Sequence, residues 1–145
     1  TTPYLIVDDA IVDALRRAAL RGVNVNIIIP AVPDKKAVYC MTRQGCGKLV
    51  DAGVKIYSYT PGFIHAKGIV ADGKVGVVGT INLDYRSFVH HYECGVFMYD
   101  AQAVTELQQD MFAVIAQSQP MLTNVKLRWW EKVVCVFANV FRPLL

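Results

Sequence analysis

The sequence lacks several features that would indicate a membrane-spanning or metal-binding protein. It has no run of eighteen apolar residues, which excludes an ordinary transmembrane helix. Its cysteines form no Cys-x-x-Cys pair, so the pattern predicts reduced thiols rather than a zinc cluster or a disulfide framework. No internal repeat or low-complexity segment is present, which excludes a repeat architecture. The four cysteines are Cys40, Cys46, Cys94 and Cys135.

The composition indicates one folded domain. Of the 145 residues, 54% are hydrophobic and only 19% are charged, and such a chain buries a core instead of remaining disordered. The formal net charge of +3 is mildly basic. This charge favours an anionic partner but does not choose among lipid, nucleic acid and small phosphates.

The first half of the chain predicts alternating helices and strands. "DDAIVDALRRAALRG" has apolar residues at helical spacing, with Asp8 or Asp9 as the cap and Gly22 as the stop. "VNVNIIIP" predicts a buried strand that ends at Pro30, "PDKKAVYCMTRQGCGKLVDAG" a second helix, and "VKIYSY" the next strand. Short joints between such elements predict a sheet with helices packed against it.

The second half predicts antiparallel pairing. "IHAKGIVA" and "KVGVVG" are short extended runs joined by Asp72-Gly73, a pair typical of a type I′ hairpin. "HHYECGVFMY" predicts a further strand, and "DAQAVTELQQDMFAVIAQS" a helix. The sequence therefore predicts an α/β fold whose sheet is mixed.

His65 and Lys67 carry the chemistry of the first hairpin strand. Side chains two residues apart on a strand share a face, and a histidine beside a lysine suits phosphoryl transfer. Thr80 and Asn82 follow the paired strand, where their hydroxyl and amide groups are expected to reach a phosphate. Glu93 is expected to bind one ring nitrogen of His65 and fix its tautomer.

Each of these residues also has a purely structural interpretation. Taken singly, His65 is more often a structural histidine, Lys67 an exposed strand residue, and Asp72 part of the hairpin turn. His90 and His91 are interpreted as surface or strand residues. None of these interpretations explains the spacing of the whole set.

That spacing resembles the HKD signature of the phospholipase D superfamily. The pattern runs His65-Ala66-Lys67, four residues, Asp72, six residues, Gly79, then Thr80 and Asn82, with Thr80 where serine is more usual. Stretches that together cover about residues 1–118 resemble the C-terminal half of bacterial cardiolipin synthases, and Asp84, Arg86 and Ser87 match a stretch after the motif that is associated with these synthases. The resemblance implies a phospholipase D-like mixed β-sheet flanked by helices on both faces. It also implies catalytic roles for His65, Lys67, Asp72 and Glu93, and phosphate binding by Lys67, Thr80 and Asn82.

The resemblance implies a two-step exchange at a phosphodiester. One histidine attacks phosphorus and forms a phosphohistidine, while the other protonates the leaving alcohol and then activates the incoming one. Two molecules of phosphatidylglycerol would give cardiolipin and glycerol, with no metal and no cofactor. By analogy with the family the nucleophile belongs to the other half, which leaves His65 as the acid and base.

The family's site takes two HKD motifs, and this sequence has one. Either the chain is an excised half of a two-motif enzyme, or two copies share a site across a two-fold axis. The start "TTPYLIVDD", without Met, favours excision. The expected partners are anionic phospholipid, a membrane surface, and the N-terminal HKD half or a second copy. The expected location is the bacterial cell membrane, as part of a longer membrane-anchored protein.

The end of the chain predicts a separate element. We predict a catalytic half-domain over residues 1–120 and an amphipathic helical tail over 121–145. In "KLRWWEKVVCVFANVFRPLL" the apolar stripe is wide and the polar face narrow, so the helix lies either in a membrane interface or against protein. The stripe is led by Leu127, Trp130, Val134, Phe137 and Phe141, and the polar face consists of Arg128, Glu131, Lys132 and Asn139.

Two other functions remain open from the sequence. The first is a single-motif phosphodiesterase or nuclease that acts as a homodimer. The modest charge and the lack of basic clusters interleaved with aromatic residues speak against nucleic acid as the partner. The second is a non-enzymatic lipid-binding module that keeps an idle motif.

Overall fold

The first half of the chain alternates strands and helices, as its sequence predicts. The protein is described by a computed structural model that covers residues 1–32, 34, 36–121 and 128–140. Its first elements are β1 (Leu5–Ile6), α1 (Asp9–Leu20), β2 (Asn26–Pro30), α2 (Lys36–Val50) and β3 (Lys55–Tyr59). Asp8 caps α1, because its carboxylate accepts a hydrogen bond from the Ile11 amide at 2.8 Å. Gly22 follows the helix with a φ of 90°, so the predicted cap and stop are both confirmed.

The second half contains the predicted hairpin. Asp72 and Gly73 have φ values of 52° and 66°, the positive values that a type I′ turn requires, and the Lys74 amide donates to the Ala71 carbonyl at 3.0 Å. The elements are β4 (Gly68–Ala71), β5 (Val75–Gly79), β6 (Leu83–Asp84), α3 (Tyr85–Val89), β7 (Gly95–Tyr99), α4 (Gln102–Ala116), β8 (Ser118–Pro120) and α5 (Trp129–Val140).

α5 lies within the predicted tail. Leu127 and Phe141, which the sequence places on the apolar stripe of that tail, lie outside the described residues. The boundary near residue 120 borders the undescribed range 122–127 and stays a prediction. None of the helices in the described part of the chain is long and apolar enough to cross a membrane.

Strand pairing gives one parallel, one mixed and one antiparallel sheet. β1 pairs with β6 in parallel, β2 pairs with β3 in parallel and β3 with β8 antiparallel, and β5 lies between β4 and β7 in the third sheet. The segment before β1 connects strands of the other two sheets through backbone hydrogen bonds. The Thr2 amide donates to Ile28 of β2, and the Thr1 carbonyl accepts from Gly68 of β4. The predicted mixed α/β fold is confirmed.

The main core lies between the β1–β3 strands and the first two helices. β2 is buried along most of its length, and both of its faces carry buried residues, as expected for a strand that pairs in parallel with β3. The buried cluster comprises Leu5, Val7, Val12, Ile27, Ile29, Cys46, Leu49, Val54 and Ile56. The four cysteines form no disulfide, as predicted, and burial raises the pKa of the Cys46 thiol to about 12.

The sheet formed by β4, β5 and β7, here called the hairpin sheet, has two different faces. One face lies close to α4, because Gly68 and Gly76 have no side chains and leave room for Met111 and Val104. The opposite face carries Ile69, Phe97 and Tyr99, which are exposed. The fold therefore leaves an apolar sheet surface open to solvent.

Candidate active site

His65 and Lys67 lie in an irregular segment that leads directly into β4. The predicted strand over residues 64–71 is thus shorter in the structure and begins at Gly68. The strand is shorter because its pairing with β5 weakens at this end. The last hydrogen bond between them, from the Gly79 amide to the Lys67 carbonyl, is stretched to 3.4 Å. The two side chains still meet, as predicted. Lys67 Nζ lies 2.9 Å from Nδ1 and 3.0 Å from Nε2 of His65, and it donates to the His65 carbonyl at 2.8 Å.

An open cleft of about 610 Å³ brings five of the six predicted site residues together. On one side it is lined by His65, Lys67, Thr80, Asn82 and Glu93, which come from the segments at one end of the hairpin sheet. α4 forms the other side with mostly apolar side chains, among them Leu107, Met111 and Val114. The cleft therefore has a polar wall and an apolar wall.

Thr80 and Glu93 form a pair inside the cleft. The Thr80 hydroxyl donates a short hydrogen bond to Glu93 Oε2 and accepts one from the Cys94 amide at 3.0 Å. A hydroxyl has one proton to donate, so this structure directs it to the carboxylate. The Thr80 hydroxyl therefore holds Glu93 in this structure, and the predicted phosphate contact of Thr80 stays a prediction.

The predicted contact between Glu93 and His65 is not formed, and the sheet order explains why. β5 lies between β4 and β7, so the segment that carries Glu93 does not run beside the one that carries His65. The structure instead pairs Glu93 with Thr80 and with His91, whose Nδ1 lies 3.5 Å from Glu93 Oε1. Both Glu93 and His65 nevertheless line the same cleft.

Asn82 lines the cleft, and one atom of its side chain is unsatisfied. Its Oδ1 is buried and finds no hydrogen-bond partner among the described residues. An unpaired buried polar atom is unfavourable, so it indicates a place where a ligand or water completes the hydrogen bonding. The amide oxygen and nitrogen are interchangeable by a flip, and the donor can therefore face the same place.

The stretch after the motif holds Asn82 and His91 in position. The Asp84 carboxylate caps α3 by accepting a hydrogen bond from the backbone amide of Ser87 at 2.7 Å. Ser87 Oγ in turn accepts a hydrogen bond from the backbone amide of Asn82 at 3.2 Å. Arg86 Nε donates to His91 Nε2 at 2.8 Å. Because that nitrogen is an acceptor, the proton of neutral His91 is on Nδ1, which faces Glu93.

His91, which the sequence predicts to be a surface or strand residue, is exposed and also belongs to the cleft. Its side chain lines the cleft and touches Glu93. The available signal was its spacing, because His91 and Glu93 are two residues apart, as are His65 and Lys67. On an extended chain that spacing places both side chains on one side.

The charges in the cleft are set by these contacts. Partial burial lowers the pKa of Lys67, and the carboxylates of Glu93 and Asp84 act against that shift. The hydrogen bond from Thr80 is the main cause that lowers the pKa of Glu93, with further lowering by Ser87 and His91 and an opposing effect of burial. Glu93 is therefore a carboxylate at neutral pH, in a cleft that Lys67, His65 and His91 also line.

Asp72 does not join this cleft. It lies in the hairpin turn at the far end of β4, where it is exposed. Its φ is positive there, a conformation that aspartate tolerates better than most residues. The predicted catalytic contact of Asp72 is thus not supported by its position, and the turn explains the residue instead. Among the described residues, no group of three or more His, Cys, Asp or Glu side chains is arranged to hold a metal ion.

A comparison with models of known protein families matches the chain to one of them. Residues 1–115 match the family described as "Cardiolipin synthase, PLD-like domain". The chain belongs to this family. The match spans the complete HKD pattern and every residue of the cleft, from Thr1 to Val114.

Known relatives of this phospholipase D-like domain include several bacterial cardiolipin synthases. It is 45% identical over 83% of its length to cardiolipin synthase of Oceanobacillus iheyensis, and 44% identical over 99% to cardiolipin synthase 2 of Bacillus anthracis. A cardiolipin synthase of Staphylococcus aureus is 42% identical over 99% of the chain. These matches cover only 25%, 28% and 30% of the three relatives, respectively.

Solved structures show the same fold at low sequence identity. Nuc of Salmonella typhimurium, a phospholipase D family member, superimposes with a TM-score of 0.70 at 18% identity, covering 84% of this chain and 80% of Nuc. Phosphatidylserine synthase of Haemophilus influenzae gives 0.76 at 16% identity, covering 99% of this chain and 40% of that enzyme. At these identities the similarity concerns the fold.

Proposed function

We propose that the phospholipase D-like domain supplies one half of a phosphatidyl-transfer site that makes cardiolipin and glycerol from two molecules of phosphatidylglycerol. The observation that carries this proposal is the single cleft that holds His65, Lys67, Asn82 and Glu93. The family and the named cardiolipin synthases among the relatives support the choice of lipid substrate. The other half of the site comes from a second HKD motif, in a longer membrane-anchored protein or in a second copy.

The reaction has two steps that exchange one P–O bond for another. In the first, a histidine of the other half attacks phosphorus, a P–N bond forms, and the P–O bond to glycerol breaks while His65 protonates the leaving oxygen. In the second, His65 takes the proton of a hydroxyl on the second phosphatidylglycerol, and that oxygen displaces the histidine. Proton and bond counts balance without water.

The other cleft residues bind and position in this scheme. The Lys67 ammonium balances the charge of the phosphate oxygens, and the unsatisfied amide of Asn82 contacts the same group. Glu93 adds a fixed negative charge opposite the histidines, and Thr80 and His91 hold it there. The apolar wall of α4, with Leu107 and Met111, lies where an acyl or glycerol backbone of the lipid enters.

The test replaces His65 in the full-length protein. His65→Ala is expected to lower the rate of cardiolipin formation from labelled phosphatidylglycerol by roughly 10²–10⁴-fold, because the leaving alcohol loses its acid. His90→Ala is the matched control, since His90 is exposed and contacts the Tyr85 ring outside the cleft. Its rate should stay within about twofold, as expected for a surface substitution.

Each alternative function gives a different result in the same assay. Labelled DNA is offered together with the lipid, and cleaved DNA with untouched lipid would replace the proposal by a nuclease. Released phosphatidic acid without cardiolipin would indicate hydrolysis, with water in place of the second lipid. An unchanged rate for His65→Ala would contradict the assigned chemistry.

A further inference from the structure

α5 presents an apolar face to the outside of the molecule. The helix packs on α2, and Cys135 on its inner side is completely buried. Trp129, Val133, Val136 and Phe137 are exposed, and their spacing of four, three and one places them along one side of the helix. The side of α5 that faces α2 therefore carries Cys135, and these four exposed apolar residues form a strip on the opposite side.

This orientation reverses the usual arrangement of an amphipathic helix. A surface helix normally turns its apolar residues toward the core, yet Trp129 is 78% exposed and Phe137 is 69% exposed. A contiguous apolar strip of this kind on a monomer marks an interaction surface.

The sequence around α5 indicates what covers the strip. In the sequence, residues 126–142 contain four basic residues and one acidic residue, Glu131, which gives four positive charges minus one negative charge, or +3. The basic residues are Lys126, Arg128, Lys132 and Arg142. Two adjacent tryptophans open the helix, and tryptophan favours the boundary between headgroups and acyl chains. A helix of 12 residues is roughly 18 Å long, too short to span a bilayer but suited to lie in its interface.

We propose that the outer face of α5 binds the interface of an anionic lipid bilayer, with Trp129, Val133, Val136 and Phe137 inserted among the headgroups and the flanking cations on the lipid phosphates. The choice of lipid rests on the proposed function, but the contact itself does not depend on turnover. A failed binding test and a failed exchange assay are therefore separate results.

The protein contains its own reporter for this contact. Trp129 and Trp130 are its two tryptophans, so intrinsic tryptophan fluorescence comes from α5 alone. The 145-residue chain is mixed with vesicles of phosphatidylcholine containing phosphatidylglycerol, or with vesicles of phosphatidylcholine only. We expect a blue-shifted emission and sedimentation with the anionic vesicles, and binding that weakens as salt is added.

Matched variants locate the surface. The double variant Val136→Gln, Phe137→Gln keeps good helix formers in α5 and removes two apolar side chains, so vesicle binding should fall by roughly tenfold or more. Leu20→Gln changes a side chain on α1 that is 70% exposed, about as much as Phe137, and should bind as the unaltered chain does. Far-UV circular dichroism checks that all three proteins keep their helices.

Three results would overturn the proposal. One is an unshifted emission with anionic vesicles at low salt. Another is an emission that is already blue-shifted without lipid and follows the protein concentration, because a second copy would then cover α5. The third is equal vesicle binding by the double variant and by Leu20→Gln, which would place the lipid contact elsewhere.

Discussion

Gly79 lies where the backbones of β5 and β7 come closest. A Cβ added to it would lie 2.2 Å from the Cys94 carbonyl oxygen and 2.6 Å from the Gly95 Cα, and neither backbone atom can move without opening the sheet. We therefore expect Gly79→Ala to lower the free energy of unfolding by about 1–3 kcal/mol. Urea unfolding of the 145-residue chain measures this change.

Gly47 in the interior of α2 is the control for this substitution. A Cβ added there meets no atom within 4 Å, and alanine is the better helix former. Gly47→Ala should raise the free energy of unfolding by about 0.5–1 kcal/mol. If Gly79→Ala unfolded at the same urea concentration as the unaltered chain, the motif glycine would have no packing role.

The sequence predicted which residues share the cleft better than it predicted their contacts. His65 and Lys67 meet because period-two alternation fixes neighbours along one segment. The partner of Glu93 depends on which strands are adjacent, and a single sequence does not encode that order locally. Thr80 and His91 are closer to Glu93 in the chain and take its two oxygens.

The hairpin between β4 and β5 is an element that sequence predicts well, because Asp-Gly is one of the few pairs that tolerate two positive φ values. Asp72→Asn should therefore change the free energy of unfolding by less than about 0.5 kcal/mol, since asparagine also adopts this conformation. Asp72→Ala should lower it by about 1 kcal/mol. Asp13→Ala, on the exposed surface of α1, should not lower it to that extent.

The same variants separate a turn role from a catalytic role. Full-length protein that carries Asp72→Asn should retain lipid exchange, because Asp72 lies outside the cleft. Loss of exchange in a protein that unfolds like the unaltered one would show that Asp72 acts on the substrate. The first residue of β4 was less predictable. It depends on the hydrogen bond from the Gly79 amide to the Lys67 carbonyl, which is stretched, so β4 begins only at Gly68.

At the scale of the whole molecule, the open face of the hairpin sheet is the feature that the sequence did not predict. The strand sequences show which residues share a face of the sheet, but they do not show which face α4 covers. That face is set by the position of α4 after β7 and by the space that Gly68 and Gly76 leave for α4 side chains. Ile69, Phe97 and Tyr99 remain exposed on the other side. The chain spans only 25% to 30% of three cardiolipin synthases that it resembles, so a longer protein has further chain to cover this face.

One substitution measured in two proteins tests whether that face is covered. Phe97 is 68% exposed in the 145-residue chain, and threonine keeps the β propensity, so Phe97→Thr should change its free energy of unfolding by less than about 0.5 kcal/mol. If the rest of the full-length protein covers this face, the same change removes a buried ring there and should lower stability by about 2 kcal/mol or more, seen as a lower unfolding temperature. Leu20→Gln, outside the hairpin sheet, should have equal effects in both proteins. Equal effects of Phe97→Thr in both proteins would show that the open face stays exposed to solvent in the full-length protein.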